Sequence, residues 1–177
     1  DIPFLRKYDT KIIVNVCGRS EEDYCEVVER LAGEDVDMLE INISCPNVKE
    51  GGIAFGATCE GAAAITKAVR PRTKKPLMVK LSPNVTDIVS IAKACEAQGA
   101  DALSLINTVL AMRIDIRTRR PVLRQNVGGL SGPAVFPLAV RMVWQTANAV
   151  NIPVVGLGGI ETWENAAEMM MAGAAAV

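Results

Sequence analysis

Cys45 stands in the run Asn42-Ile-Ser44-Cys45-Pro46-Asn47, where a proline-stiffened backbone puts a thiol between hydroxyl and amide side chains. A free thiol titrates near pH 8.5, so once its thiolate is stabilised it can act as a base or a nucleophile close to neutrality. The blander state is a small buried hydrophobe, which is the expectation for Cys17, Cys25, Cys59 and Cys95, with Cys25 and Cys95 falling inside predicted helices. Lys80 interrupts the apolar run Leu77-Met-Val-Lys80-Leu81. A buried ammonium without an acceptor is very costly, so Lys80 needs either an anionic ligand or an ion pair, for which Glu40 is the candidate. Asn42, Asn107 and Thr108 follow apolar runs in the same way, as do Ser82 and Asn84. Each such polar group left buried and unpaired costs about 1–3 kcal/mol, and a flat polar ring would satisfy several at once. Gly158-Gly159 lets backbone amides approach a phosphate near the helix opening at Thr162, although a tight strand-to-helix turn demands the same residues. The chain contains no His, which excludes Ser–His and Cys–His dyads and HExxH zinc sites within it; no metal site is expected.

These residues need elements to position them. Short aliphatic runs predict strands at Lys11 to Val16, Val36 to Asn42, Leu77 to Leu81, Ala102 to Ile106, Pro153 to Leu157 and Ala174 to Val177. Between them, apolar residues at three- and four-residue spacing predict helices at Glu21 to Leu31, Glu60 to Val69, Asp87 to Gln98, Pro133 to Val150 and Thr162 to Ala172. Ser20, Thr86 and Thr162 offer oxygens to helix starts, and Gly99 and Gly173 suit left-handed helix ends. Strand alternating with helix demands a parallel sheet covered by helices, and ligands then sit at the carboxyl ends of the strands, where the polar residues above fall. A closed eight-stranded barrel takes about 250 residues, so 177 residues with about six strand signals read as an incomplete α/β (β/α)8 TIM barrel. An open doubly wound sheet is the alternative. No linker or composition shift divides the chain, so residues 1–177 are expected to be one domain. The stretch from Thr108 to Gly132 is too long for an ordinary loop. With Arg113, Arg117, Arg119, Arg120 and Arg124 against Asp115, it predicts a hairpin or excursion above the sheet, either simply solvated or facing an anionic ligand or partner.

Twenty acidic and 19 basic side chains leave a net charge of −1, so no field recruits nucleic acid or an anionic membrane. Half the residues are hydrophobic and only 4% aromatic, a balance too apolar for disorder that predicts an aliphatic core. No apolar run approaches the roughly 18 residues of a bilayer span, and Asp1-Ile2-Pro3 is not a basic leader. Five scattered cysteines suit reduced thiols better than a disulfide framework. A soluble, cytoplasmic protein is the expectation.

The motifs together resemble a known family. Glu40-Ile-Asn-Ile-Ser-Cys-Pro-Asn-Val-Lys-Glu-Gly-Gly52, Val79-Lys-Leu-Ser-Pro-Asn84, Ile106-Asn-Thr108, Gly128-Gly-Leu-Ser-Gly-Pro-Ala134 and Gly156-Leu-Gly-Gly-Ile160 look like dihydroorotate dehydrogenase, in the class 1B form that uses NAD. The match runs in consistent order over essentially the whole chain, and NISCPNVK followed by the glycine pair is highly specific. The resemblance implies an FMN barrel oxidising dihydroorotate to orotate in pyrimidine (UMP) biosynthesis. By position it makes Cys45 the base that takes a proton from carbon 5 of dihydroorotate while hydride leaves carbon 6. It gives Asn42 contacts to flavin and substrate, and Asn107, Thr108 and Asn47 contacts to the substrate. Lys80 would lie beside the flavin ring; Asn15, the backbone at Ile106, Gly132, Gly158 and Gly159 would complete the cofactor site, the last two near the phosphate. It further implies a partner subunit carrying FAD and an iron–sulfur cluster, on a homodimer core of a heterotetramer.

Lys49 to Gly52 favour class 1B over the homodimeric, fumarate-using class 1A. A truncated, non-catalytic barrel module is the competing reading from another class. The family's N-terminal lysine and Asn-Pro-x-Gly-Leu loop, and its final Gly-Thr phosphate contact, have no counterpart among these residues. The chain is therefore expected to be the central and C-terminal portion of the barrel, and by itself to bind FMN poorly and not turn over. Cys17 and Ala111 replace residues that are usually small and Gly, respectively, in relatives.

Overall fold

The computed structural model describes residues 1–44 and 53–177, with the side chains of residues 53 and 54 also outside the description. In chain order the elements are α1 (Ile2–Leu5), β1 (Ile13–Val16), α2 (Glu21–Ala32), β2 (Met38–Asn42), α3 (Ile53–Gly56), α4 (Cys59–Val69), β3 (Leu77–Lys80), α5 (Ile88–Ala97) and β4 (Ala102–Leu105). There follow β5 (Val109–Ala111), β6 (Ile114–Asp115), β7 (Arg120–Pro121), β8 (Gly128–Leu130), α6 (Phe136–Ala147), β9 (Val154–Gly156) and α7 (Trp163–Met171).

Five strands form one parallel sheet in the order β1-β2-β3-β4-β9. Sequential parallel neighbours with a helix in each crossover are the repeating unit of a (β/α)8 barrel, and the open doubly wound alternative, whose strand order reverses at a switch point, is not what forms. The predicted sixth strand at Ala174 to Val177 is reduced to a bridge between Val155 and Ala176. Gly156 N–H donates to the Ala176 carbonyl and Ala175 N–H to the Val154 carbonyl, both at 2.8 Å.

Alternation along the strands decides which face is packed. Leu39 and Ile41 of β2, Leu77 and Val79 of β3, and Leu103 and Leu105 of β4 point to the helices and are fully buried, each burial being worth about 1.5–3 kcal/mol. Tyr24 on α2 is an aromatic exception in this aliphatic layer; its hydroxyl reaches through to donate to the Asn42 carbonyl at 2.7 Å.

The helix starts follow their caps. Ser20 accepts from Asp23 N–H, Thr58 from Gly61 N–H, and Thr162 forms a capping box with Asn165. Asp87, not Thr86, caps α5, because its carboxylate accepts from both Val89 and Ser90 N–H. Gly99 and Gly173 take positive φ at helix ends, as expected. The helix predicted from Pro133 starts as a 3-10 turn and is α-helical only from Phe136 to Ala147. The short α1 and α3 carry too few periodic residues to be predicted.

From Thr108 to Gly132 the chain does leave the barrel, as two antiparallel ribbons, β5 with β8 and β6 with β7. All five of its arginines are exposed and none forms an ion pair among the described residues. No helix among the described residues is long and apolar enough to cross a membrane.

Candidate functional site

The residues that alternate with the buried aliphatics face the barrel interior. Register places Asn15 beside Glu40 and Met78, and one step nearer the carboxyl ends places Asn42, Lys80 and Ser104 abreast on adjacent strands. Polar side chains at consecutive inward positions are what the odd–even pattern Leu39-Glu40-Ile41-Asn42 requires of a strand packed on only one side.

These side chains are joined. Asn42 Nδ2 donates to Asn15 Oδ1 at 3.3 Å, and Asn42 Oδ1 accepts from Ser44 N–H at 3.2 Å and Ser44 Oγ at 2.9 Å. Asn107 Nδ2 donates to Ser44 Oγ at 2.7 Å and to Asn42 Oδ1 at 3.4 Å, while Asn107 Oδ1 accepts Thr108 N–H at 2.8 Å. Three asparagines from three separate loops or strands thus share one network, with fully buried Ser44 at its centre. Thr108 is held in turn by Asn84, whose Nδ2 donates to the Thr108 carbonyl at 2.9 Å and whose Oδ1 accepts Leu110 N–H at 2.8 Å. Gly129 opposite is required by close approach, because a Cβ there would lie 2.2 Å from Thr108 Oγ1.

Lys80 is half-buried beside Asn42 and Ser104. The ion pair with Glu40 does not form. The Glu40 carboxylate instead accepts from Asn15 Nδ2 and, at 2.6 Å, from Ser104 Oγ, and among the described residues no hydrogen bond or ion pair reaches the Lys80 ammonium. Motif reading passes over Ser104 and takes Glu40 only as a partner for Lys80; the signal that finds both is their inward parity on β2 and β4.

A second cluster closes the other side of the rim. Leu105–Ile106 is a cis peptide, with Ile106 N–H donating to Leu157 O at 3.1 Å. Gly132, Gly158 and Gly159 all have positive φ. At Gly159 the requirement is twofold, since φ is +73° and a Cβ would stand 2.7 Å from the Gly132 carbonyl oxygen and 2.9 Å from Phe136 N. A Cβ on Gly158 would lie 3.3 Å from Ile106 Cγ1. Ile106, Gly132, Gly158 and Gly159 are therefore neighbours around the start of α6. The glycine pair thus meets the start of α6, while Thr162 and Asn165 cap the start of α7 with a capping box.

The thiols separate by environment. Cys95 is fully buried on α5 and burial pushes its pKa up to about 12; burial also raises Cys25. Cys17, expected in the core, is exposed, its Sγ 3.5 Å from Asn15 Oδ1 at the end of β1. It lies outside because the rim, not the helix layer, begins there. Cys45, Asn47 and Lys49 to Gly52 lie outside the described residues.

Among the described residues, the carboxyl ends of the strands offer amide donors and acceptors, the Lys80 ammonium and a glycine-lined backbone, which suits a flat polar ring carrying an anionic group. The family model for dihydroorotate dehydrogenase matches residues 3–177. The chain is 60% identical over 177 residues to "Dihydroorotate dehydrogenase B (NAD(+)), catalytic subunit" of Alkaliphilus metalliredigens, and 57% identical over 176 residues to the protein of the same name in Parabacteroides distasonis. It is covered fully and to 99% respectively, yet spans only 59% and 58% of those relatives' lengths. Among solved structures, FabK from Thermotoga maritima aligns with a TM-score of 0.59 at 20% identity, over 99% of this chain and 43% of that one. The Amycolatopsis orientalis BexX/CysO complex aligns at 0.55 and 19%, over 93% and 55%; these two share the fold alone. On the match along nearly its whole length, the chain belongs to the dihydroorotate dehydrogenase family.

Proposed function

We propose that this chain forms part of the catalytic subunit of an NAD-linked (class 1B) dihydroorotate dehydrogenase, which oxidises dihydroorotate to orotate for pyrimidine biosynthesis. The observation that carries the reading is the single hydrogen-bonded array of Asn15, Asn42 and Asn107 on the inward face that also holds Lys80.

FMN fits the residues on two counts: Gly159 is a backbone cradle that any Cβ would fill, and Lys80 presents an ammonium without a partner among the described residues. When bound, FMN supplies the hydride acceptor. Asn15, Asn42, the Ile106 backbone, Gly132, Gly158 and Gly159 would hold it, and the Lys80 ammonium would favour negative charge developing on it. Asn42, Asn107 and Thr108, with Asn47, hold the flat pyrimidine by its polar edge.

Cys45 takes the proton from carbon 5 of the substrate and keeps it at Sγ until solvent removes it. In a chain without His, a thiol is the side chain whose pKa lies within reach of neutrality. Ser44, the residue before Cys45 in the sequence, is held by Asn42 and Asn107. Electrons then leave through a partner subunit bearing FAD and an iron–sulfur cluster, docked on a homodimer of this subunit.

The test is Cys45→Ala and Cys45→Ser in the protein at its full natural length. Both are expected to slow flavin reduction by dihydroorotate by about 10²–10⁴-fold while flavin stays bound. Unchanged reduction rates remove Cys45 from the role, and acceptor assays with NAD and fumarate separate class 1B from class 1A.

A further inference from the structure

Among the described residues Glu40 is the one carboxylate woven into the rim array, and the direction of the hydrogen bonds gives it a task. Each asparagine amide has a donor end and an acceptor end, and only its partners decide which points where. For Asn42 and Asn107 the decision is made by backbone: Ser44 N–H and Thr108 N–H can only donate, so the carbonyl ends must face them. Among the described residues Asn15 has no such backbone partner. Its Oδ1 receives Asn42 Nδ2 and the Cys17 thiol, and the group its Nδ2 meets is the Glu40 carboxylate. An ionised carboxylate only accepts, so Glu40 forces the Asn15 amino group inward and its carbonyl toward Asn42. Were Asn15 reversed, its NH2 would oppose the Asn42 NH2, two donors facing each other. Ser104 Oγ, at 2.6 Å from the second carboxylate oxygen, holds Glu40 itself in place from β4.

We infer that Glu40 is a positioning residue: by accepting from Asn15 it sets the polarity of that amide and completes the donor–acceptor order of the rim. As a role in ordering the cofactor edge of the mouth, this rests on the flavin reading above. As an orientation of Asn15, it stands on the hydrogen bonds alone.

Two variants separate acceptor, charge and bulk. Glu40→Gln keeps a carbonyl for Asn15, because its amino end can donate to the Ser104 hydroxyl, which accepts as readily as it donates. Glu40→Met keeps length and loses the acceptor. The first readout needs no cofactor: in ¹⁵N-labelled protein at its full natural length, the Asn15 side-chain NH2 is expected to exchange slowly with solvent in the wild type and in Glu40→Gln, and at least tenfold faster in Glu40→Met. The second is FMN affinity by fluorescence titration, with Kd rising about tenfold in Glu40→Met, the loss expected of a hydrogen bond to a charged group, and less than threefold in Glu40→Gln.

Equal Asn15 exchange in all three proteins overturns the inference, since Glu40 then only fills space. A Glu40→Gln protein as impaired as Glu40→Met overturns it too, because charge and not orientation would be at work. If the wild type takes up no FMN, the flavin reading fails, and the exchange readout still decides the orientation.

Discussion

The two faces of the central sheet are built from alternate residues of the same strands, and they are opposites. Toward the helices, β2, β3 and β4 present Leu39, Ile41, Leu77, Val79, Leu103 and Leu105, none with any exposed surface. Toward the interior the same strands present Glu40, Asn42, Lys80 and Ser104, three of them hydrogen-bonded through their side chains. One face gains its stability from transfer out of water, which needs no direction; the other is organised by hydrogen bonds, which need direction. A single residue of register shift would exchange them, so the aliphatic face is also what holds the polar one in place.

That contrast can be broken most directly at neighbouring strand positions. Leu39→Ala should cost about 2–5 kcal/mol in equilibrium urea unfolding, as for fully buried leucines generally. Lys80→Met should leave stability unchanged or raise it, and a loss comparable to that of Leu39→Ala would mean that the inward face is structural after all.

A smaller effect is expected at the rim backbone. Gly159→Ala forces a side chain into φ +73° against the Gly132 carbonyl, at a cost of about 1–2 kcal/mol for the left-handed conformation. Thermal unfolding checks this, and an unaltered midpoint would show that the loop relaxes freely.

Thiol labelling followed by peptide mapping sharpens the comparison without mutation. Cys17 at the rim should react in the native protein. Cys95, whose pKa burial pushes up to about 12, should react only after unfolding; native labelling of Cys95 would show that the helix layer is open.

The mildest prediction concerns the opposite end of the sheet, below β1 and β2. Asp37 accepts Ile12 N–H at 2.9 Å and is bracketed by Arg6 and Lys11. The backbone hydrogen bond from Ile12 does most to lower its pKa, burial opposes it, and the hydrogen bonds from Arg6 and Lys11 lower it further, from 3.8 to about 2. A depressed carboxylate stabilises the fold above its unfolded pKa. The contribution should therefore be complete above about pH 4 and fade as the pH falls through about 2, and Asp37→Asn should flatten that part of the acid unfolding curve.

The fold was legible to the extent that periodicity carries it. Alternating runs gave the five sheet strands and five of the helices to within about three residues at their ends, because a parallel sheet under helices writes near-continuous apolar strands. The segment at Ala174 to Val177 reads equally like a strand, yet only Ala176 bridges to Val155, since strand formation depends on a neighbour and not on the run itself. The site was legible where a residue type broke the apolar pattern: Asn42, Lys80 and Asn107 announce themselves in that way. Cys17 shows the limit, for nothing in Asn15-Val-Cys17-Gly18 tells a core thiol from one at an exposed strand end.

What the chain's sequence determined alone was the alternation of elements, the aliphatic layer and the family to which its motifs belong, because these follow from local spacing and residue type. The tertiary structure alone decided who partners whom: that Glu40 takes Asn15 and Ser104 and leaves Lys80, that Asp87 caps α5 in place of Thr86, and that the glycine pair meets the start of α6. Hydrogen bonds act over about 3 Å with strict direction, and residues dozens of positions apart reach that distance only when strand register and crossover helices have brought them there.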